Sequence, residues 1–390
     1  MAAQWLMVGE LALAGLSLAP FALHRFNVAR WSKIPLEIPA QNSNLQITIL
    51  LPVWNEALVI EKKLADLAAQ EVKCDLVIVD SASDDNTVKI AESWLADFPE
   101  SFKFTKIIKM PTRLGKTPAV ILALDQMKDV EGIIVMTDAD AFLSQGSLER
   151  IQHWFSDATI GAVGGTPQRV GDLESEKSHR DIYTILRSGE SSFDSTPFLE
   201  GSLMAWRAGK ISSSDLYPTA NADDAQIATA IRLNGLRAIH DSELFFTDYM
   251  PTTGKGQRRQ KVRRAQGLIR LLARKRKFWF SSRVGRFGKI LRMNAWMHIF
   301  SPFLMFGATI MAILRNISFT EELAWLSLLE MYCLAAWLLV RSQKGFTGVK
   351  TAGTILFGME NLFIAMFTTA RGKSLHIWDQ HSDVREEISK

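Results

Sequence analysis

Apolar residues are distributed along the chain in two different ways. Four long stretches, roughly residues 4–23, 294–315, 323–341 and 352–370, are almost unbroken in hydrophobic character. About 20 helical residues at about 1.5 Å rise cover a hydrocarbon core of about 30 Å, so each stretch is long enough to cross a bilayer. Between the first and second of them the apolar residues come in short runs instead, at 45–51, 76–79, 104–108, 133–136 and 160–165, bounded by turn-forming residues. Such runs are expected to be buried strands. Helical patterns alternate with them, opening at Asn55-Glu56, at Thr87 and near Thr117, then across 172–187 and after Asn221. This alternation predicts an α/β fold with a mostly parallel, Rossmann-like sheet and right-handed crossovers. Pro52 is expected to end the first strand, because it has no N–H to give to a ladder.

The same pattern sets the expected domains. They are an N-terminal transmembrane helix over 1–25, a polar linker over 26–44, an α/β domain over 45–256, basic interfacial helices over 257–293, further transmembrane helices over 294–371, and a tail over 372–390. The first stretch reads as a retained anchor: no basic residues precede it and three more spans follow. His24, Arg25, Arg30 and Lys33 follow it, and Arg341, Lys344 and Lys350 lie between the third and fourth spans, whereas residues 316–322 contain no Lys or Arg. By the positive-inside rule, the amino terminus is expected outside and the α/β domain in the cytoplasm. The side of the carboxyl terminus stays open, because 352–370 could cross or re-enter. Glu10, Glu330 and Glu360 fall within spans, where an acid costs about 2.5–3.5 kcal/mol, and are expected to face other helices.

Charge refines this picture. The net charge of +4 is concentrated in residues 257–292, where basic residues alternate with apolar ones and end near Phe278-Trp279-Phe280. Beside a span, that composition suits a helix lying on anionic headgroups and argues against nucleic acid as the partner. Cys74 and Cys333 imply no disulfide framework, which fits a reducing compartment.

Candidate chemistry lies at the ends of the short runs. Asp80 ends the second, and the fourth ends in Asp138-Ala139-Asp140. Two acids one residue apart at the carboxyl edge of an α/β sheet suit a hard cation such as Mg²⁺ or Mn²⁺, which shares its remaining positions with water and phosphate. Pro52-Val53-Trp54-Asn55-Glu56 follows the first run, Ser83, Asp85 and Thr87 follow Asp80, and Arg113-Leu114-Gly115-Lys116 follows the third. Asn221-Ala222-Asp223-Asp224 opens a helix, and Gln260-Lys261-Val262-Arg263-Arg264 opens the basic segment. Taken singly, each has an ordinary use: a strand stop, a helix cap, or a headgroup contact.

In this order the motifs resemble the inverting family 2 glycosyltransferases of GT-A fold, over about residues 46–266. The flanking spans are similar to the layout of ceramide glucosyltransferase-like enzymes. The resemblance implies a donor site in which Pro52, Trp54 and Glu56 border the nucleotide base, with the indole as a stacking surface. Asp80 accepts from the base, Asp85 belongs to the same motif, and Lys116 places a point charge near phosphate. Asp140 is implied as the metal ligand, with Asp138 beside it on the sugar or ribose side. Asp224 is implied as the catalytic base, with Asp223 next to it at the acceptor. Gln260, Arg263 and Arg264 stand where the family has Gln-x-x-Arg-Trp and would meet diphosphate or acceptor. Arg264 replaces the Trp, which weighs against a processive polymer channel. The resemblance thus implies transfer of a sugar from a UDP- or GDP-linked donor to a membrane lipid, with Mg²⁺ or Mn²⁺. A polyprenyl-phosphate sugar transferase, a polysaccharide synthase and a non-enzymatic lipid- or nucleotide-binding membrane protein are the alternatives.

Overall fold

The structure, a computed structural model, describes residues 2–40, 44–170, 174–249, 254–317, 323–342, 347–375 and 382–389. Asp172 and Lys344, which enter the expectations above, lie outside them. The chain divides into two compact units. One gathers Met1–Arg30, Leu173–Leu186 and Arg258–Lys373; the other gathers Trp31–Asp172, Arg187–Gln257 and Ser374–Lys390. The carboxyl-terminal tail is therefore part of the α/β unit rather than a separate appendage.

The α/β unit is built on one sheet of eight strands: β1 (Ile47–Val53), β2 (Asp75–Asp80), β3 (Thr105–Lys109), β4 (Ile133–Thr137), β5 (Ala141–Leu143), β6 (Ile160–Val170), β7 (Leu203–Arg207) and β8 (Arg237–Tyr249). Their order is β3-β2-β1-β4-β7-β6-β8-β5. The first four pair in parallel, as the alternating pattern predicts. β7 then runs antiparallel to both β4 and β6, and β5 antiparallel to β8, which makes the mixed sheet of the GT-A fold. Side chains alternate between its faces with the period of two that a strand imposes. Ile47, Ile49, Leu51 and Val53 of β1 enter one core, and Leu50 enters the other. The first core packs on α2 (Ile60–Ala68), α3 (Thr87–Asp97) and α5 (Ser147–Trp154). The second packs on α4 (Lys116–Gln126) and α7 (Asp223–Leu233), with α6 (Glu174–Phe193) between them in the chain.

Two local expectations are corrected. Pro52 does not end β1: it lies opposite Val79 inside the ladder. The Val53 carbonyl accepts from Ser81 on the β2 side, so Pro52 faces the β4 side, where pairing has already stopped at Leu50. No donor is required there. The helix expected from Asn55-Glu56 starts only at Ile60, because Asn55 takes the left-handed conformation, φ 54°, and turns the chain away from the strand first.

In the helical unit, α1 (Ala2–Trp31), the segment Arg286–Ile317, α11 (Ala324–Arg341) and most of α12 (Thr347–Ala370) are each long and apolar enough to cross a membrane. Arg286–Ile317 comprises α9 (Arg286–Ala295), a π-helical turn over Trp296–Phe300, and α10 (Ser301–Ile317). The Ser17 hydroxyl of α1 donates to the Ser301 carbonyl at 2.8 Å. α12 lies along α11 in the same direction. Tyr332 donates to the Gly348 carbonyl at 2.7 Å, a Cβ on Gly353 would strike the Ala336 carbonyl, and Trp337 donates to Glu360 at 3.0 Å. The acids within these apolar helices meet cations. Arg315, 2% exposed, binds Glu10 at 2.9 Å and also pairs with Glu330, while Glu360 pairs with Arg258. Removing one cation strands two acids. Arg315→Ala should therefore destabilise the protein by about 3 kcal/mol, read as a lowered unfolding midpoint in detergent; an unchanged midpoint would show that the cluster contributes nothing.

Candidate active site

The carboxyl ends of β1, β2 and β4, with the start of α7, present the sequence-predicted residues together. The loop after β1 is tied to the loop after β2 by the acidic motif itself. Asn55 N–H donates to Ser83 Oγ at 2.9 Å, Asp84 N–H donates to Asn55 Oδ1 at 2.9 Å, and Ala57 N–H donates to Asp85 Oδ2 at 3.1 Å. Asp85 also accepts from Thr87 N–H at 2.8 Å, so its carboxylate shapes the loop. Asp80 is buried and holds Ser83 N–H at 3.2 Å. Trp54 carries the Arg113 guanidinium on its face, 3.3 Å from the ring centroid, a cation–π contact that uses one side of the indole.

Gly115 (φ 104°) starts α4 and allows Lys116 to turn inward. The Lys116 ammonium binds Asp138 at 2.5 Å and the Gly201 carbonyl at 3.1 Å, and stands 3.7 Å from Asp223. Burial opposes its charge, but Asp138 and Asp223 outweigh burial and raise its pKa above the ordinary lysine value. Asp138 also accepts from Ser202 Oγ at 3.2 Å. Gly201 lies against both groups: a Cβ there would be 3.4 Å from that of Asp224 and 3.5 Å from the Lys116 ammonium, ordinary contact distances. Asp223 and Asp224 form the first turn of α7 behind Ala222, whose φ of 66° is rare for an L-residue. Asn55, Ala82 and Ala222 are the non-glycine residues with positive φ among those described. All three border this site, where backbone strain tends to be retained. Asp223 is buried and Asp224 partly exposed. Burial, followed by the Asp223 charge, pushes the Asp224 carboxyl up to about 7.

The chain supplies two groups here that local patterns do not disclose. Lys63 of α2, fully buried, donates to Thr137 Oγ1 at 3.2 Å and to the Ala141 carbonyl, and pairs with Asp66 at 3.1 Å. It thereby grips both ends of the turn that carries Asp138 and Asp140. Arg385 comes from α13 (Ser382–Ser389), at the far end of the chain. It binds Glu56 through two nitrogens, at 2.9 and 2.7 Å, and Asp140 at 2.8 Å. Burial lifts the Glu56 carboxyl to about 7 against the pull of Arg385. Lys63 lay hidden in a solvent-like Lys-Lys pair, and nothing near Arg385 in sequence points to the sheet edge. Gln260, Arg263 and Arg264 are carried by α8 (Gly254–Arg274), in the helical unit, so the constellation in the α/β unit is built without them.

Among the described residues no cluster of three or more His, Cys, Asp or Glu is arranged to hold a metal. Asp138 and Asp140 are nevertheless a fitting donor set for Mg²⁺ or Mn²⁺ held jointly with phosphate oxygens, since these ions bind through one or two carboxylates and not through protein cages.

The family model described as glycosyl transferase family 2 matches residues 48–210, and that described as glycosyl transferase family group 2 matches residues 133–340. The mannosyltransferase PcManGT from Pyrobaculum calidifontis, solved in complex with GDP-Man and Mn²⁺, is similar in structure. It is 26% identical, with 95% of this chain and 100% of that chain covered, at a TM-score of 0.78. S. aureus TarS 1-349 in complex with UDP-GlcNAc is more remote, at 16% identity and a TM-score of 0.41 over 84% of this chain and 93% of that one. No curated protein matches the chain. Because Lys63, Thr137 and Ala141 are all buried, Lys63→Ala should cost about 3 kcal/mol through the space it empties and the ammonium contacts it removes. Chemical denaturation in detergent measures this; a loss under about 0.5 kcal/mol, the usual surface value, would exclude a supporting role.

Proposed function

We propose, on the premise that the chain belongs to glycosyl transferase family group 2, that it is an inverting enzyme moving a sugar from a nucleotide-diphosphate donor to a membrane lipid. The observation that carries the proposal is the Asp138–Lys116–Asp223 chain of contacts, which links the donor acids to Asp224 at the sheet edge.

Asp80 and Trp54, with Pro52 and Glu56 beside them, are assigned to the nucleoside, and Asp85 to shaping that wall. Lys116 is assigned to the diphosphate, exchanging part of its pairing with Asp138 for phosphate oxygens. Asp138 and Asp140 would hold Mn²⁺ or Mg²⁺, which when bound supplies positive charge against the leaving diphosphate. Asp224 takes the proton of the acceptor hydroxyl as that oxygen attacks the anomeric carbon from the face opposite the leaving group. Asp223 raises the proton affinity of Asp224. Gln260, Arg263 and Arg264 are assigned to the acceptor headgroup or diphosphate. The similar PcManGT structure makes GDP-mannose the first donor to test and favours Mn²⁺. A lipid acceptor is supported by the four apolar helices and by the basic helix that follows the α/β domain, a layout that resembles ceramide glucosyltransferase-like enzymes. A polyprenyl-phosphate acceptor would use the same site.

For orientation, we infer a cytoplasmic α/β domain, two crossings after it, and a re-entrant α12. The five residues 342–346 reach at most about 20 Å, too short to cross back about 30 Å of hydrocarbon, so neighbours that run in the same direction cannot both cross. The tail returns to the α/β unit, where Ser374 donates to the Thr219 carbonyl at 2.9 Å. With Cys74 and Cys333 replaced by Ser, Glu387→Cys and Glu100→Cys should label from the same side of sealed vesicles; labelling from opposite sides would refute the re-entrant helix.

Membranes incubated with labelled UDP and GDP sugars, followed by identification of the labelled lipid, test the proposal directly. Asp224→Asn should lower transfer by at least about 10²-fold, the usual contribution of a general base, with donor binding nearly unchanged; retained transfer removes Asp224 from the mechanism. An acid at about 7 must lose its proton to act, so kcat/KM should rise about tenfold per pH unit below 7 and level off above it. A flat profile between pH 5 and 8 would exclude Asp224 as the titrating base.

A further inference from the structure

The acids at the sheet edge are neutralised from two directions. Lys116 covers Asp138 from the middle of the domain. Arg385 covers Asp140 from a helix that the chain reaches only after its last apolar segment. The helix α13 is anchored for this role. Val384 and Ile388 are buried in the same core cluster as β1 and β4, and Lys62 donates to the Ile388 carbonyl at 2.6 Å. The Arg385 side chain is 8% exposed and that of Glu56 5%, so the guanidinium is a built part of the site. Three of its nitrogens are used, two on Glu56 and one on Asp140 Oδ2. It sits where a second cation would otherwise join Glu56 to Asp140, and it leaves Asp140 Oδ1 unused by this pair.

We propose that Arg385 is a positioning residue that makes metal capture depend on the donor. Its guanidinium occupies the space between Glu56 and Asp140, so that Asp138 and Asp140 bind a divalent cation weakly until a nucleoside diphosphate contributes its phosphate oxygens. The inference rests on the metal role of Asp138 and Asp140 proposed above. Two like-charged cations sharing one carboxylate repel, strongly so away from bulk water. A hard divalent ion held by only two carboxylates needs phosphate and water to complete its shell. A third carboxylate free of Arg385 would instead offer a protein-only site. Arg385 therefore keeps the ion and the donor arriving as a pair, and it ties this property to docking of the tail.

The test is Mn²⁺ binding to the full-length protein in detergent, followed by electron paramagnetic resonance of the free ion, with and without GDP or UDP. Arg385→Met keeps the apolar stem, and Arg385→Lys keeps the charge. In wild type the nucleotide should tighten Mn²⁺ binding strongly. In Arg385→Met, binding without nucleotide should tighten by about tenfold or more, as expected when a like charge is removed from a partly dry site. The tightening gained from nucleotide should shrink correspondingly, while Arg385→Lys behaves like wild type. A merely structural arginine would weaken binding or leave it unchanged in both states. Should Arg385→Met not fold, Arg385→Gln, neutral but still able to donate to Glu56, keeps that carboxylate and carries the same expectation. If either folded variant binds Mn²⁺ no more tightly than wild type without nucleotide, the inference is overturned. If no protein binds Mn²⁺ even with nucleotide, the metal reading itself fails.

Discussion

Charge compensation at the carboxyl edge of the sheet is the constraint on which the site depends. Glu56, Asp80, Asp138, Asp140, Asp223 and Asp224 converge there, several of them buried. Burial first, and neighbouring carboxylates after it, raise the proton affinity of such acids, and both act on Glu56 and Asp224, lifted to about 7. Among the described residues Lys116 and Arg385 pair with them, and each bridges two acids. Lys116 is supplied by a glycine-opened helix next to the third strand. Arg385 requires the whole chain to have passed through the helical unit and come back. The site is complete only when the last helix is docked.

The fold supplies the edge that makes this concentration possible. Parallel strands β1, β2 and β4 end together, so successive loops carry Asn55-Glu56, Asp80 and Asp138-Ala139-Asp140 to one rim. The antiparallel partner β7 then brings Gly201 and Ser202 beside β4, where the Gly201 carbonyl accepts from Lys116 and the Ser202 hydroxyl donates to Asp138. The strained Ala222 backbone directs the two acids of α7. Beneath the rim, Lys63 holds the turn from below through Thr137 and the Ala141 carbonyl.

The parallel half of the sheet was legible from sequence because buried strands there are short, wholly apolar runs that end on polar turns. Asp80, Asp138 and Asp140 were legible for the same reason, as acids placed where such runs stop. The mixed half, from β7 to β5, was not. β5 has three residues, β7 has five, and β8 carries Asp241-Ser242-Glu243 in its middle. Those polar residues break the alternation, and the β6–β8 ladder has register shifts before and after Gly164. Arg385 and Lys63 were illegible on another ground: a buried cation next to an acid is a tertiary fact, and both sit in local sequences that read as solvated helix. The direction of α12 is likewise set by packing. Gly353 against the Ala336 carbonyl and Glu360 against Trp337 fix it, and hydropathy alone is blind to both.

In the direct displacement proposed, Asp224 would deprotonate the acceptor on the face opposite the leaving diphosphate. Such a displacement permits only one stereochemical course. The anomeric configuration of the glycolipid formed from an α-linked nucleotide sugar, read from its one-bond carbon–proton coupling by nuclear magnetic resonance, measures it. A β-linked product is predicted; an α-linked product would mean retention, and with it a mechanism in which Asp224 is not the base of a single displacement.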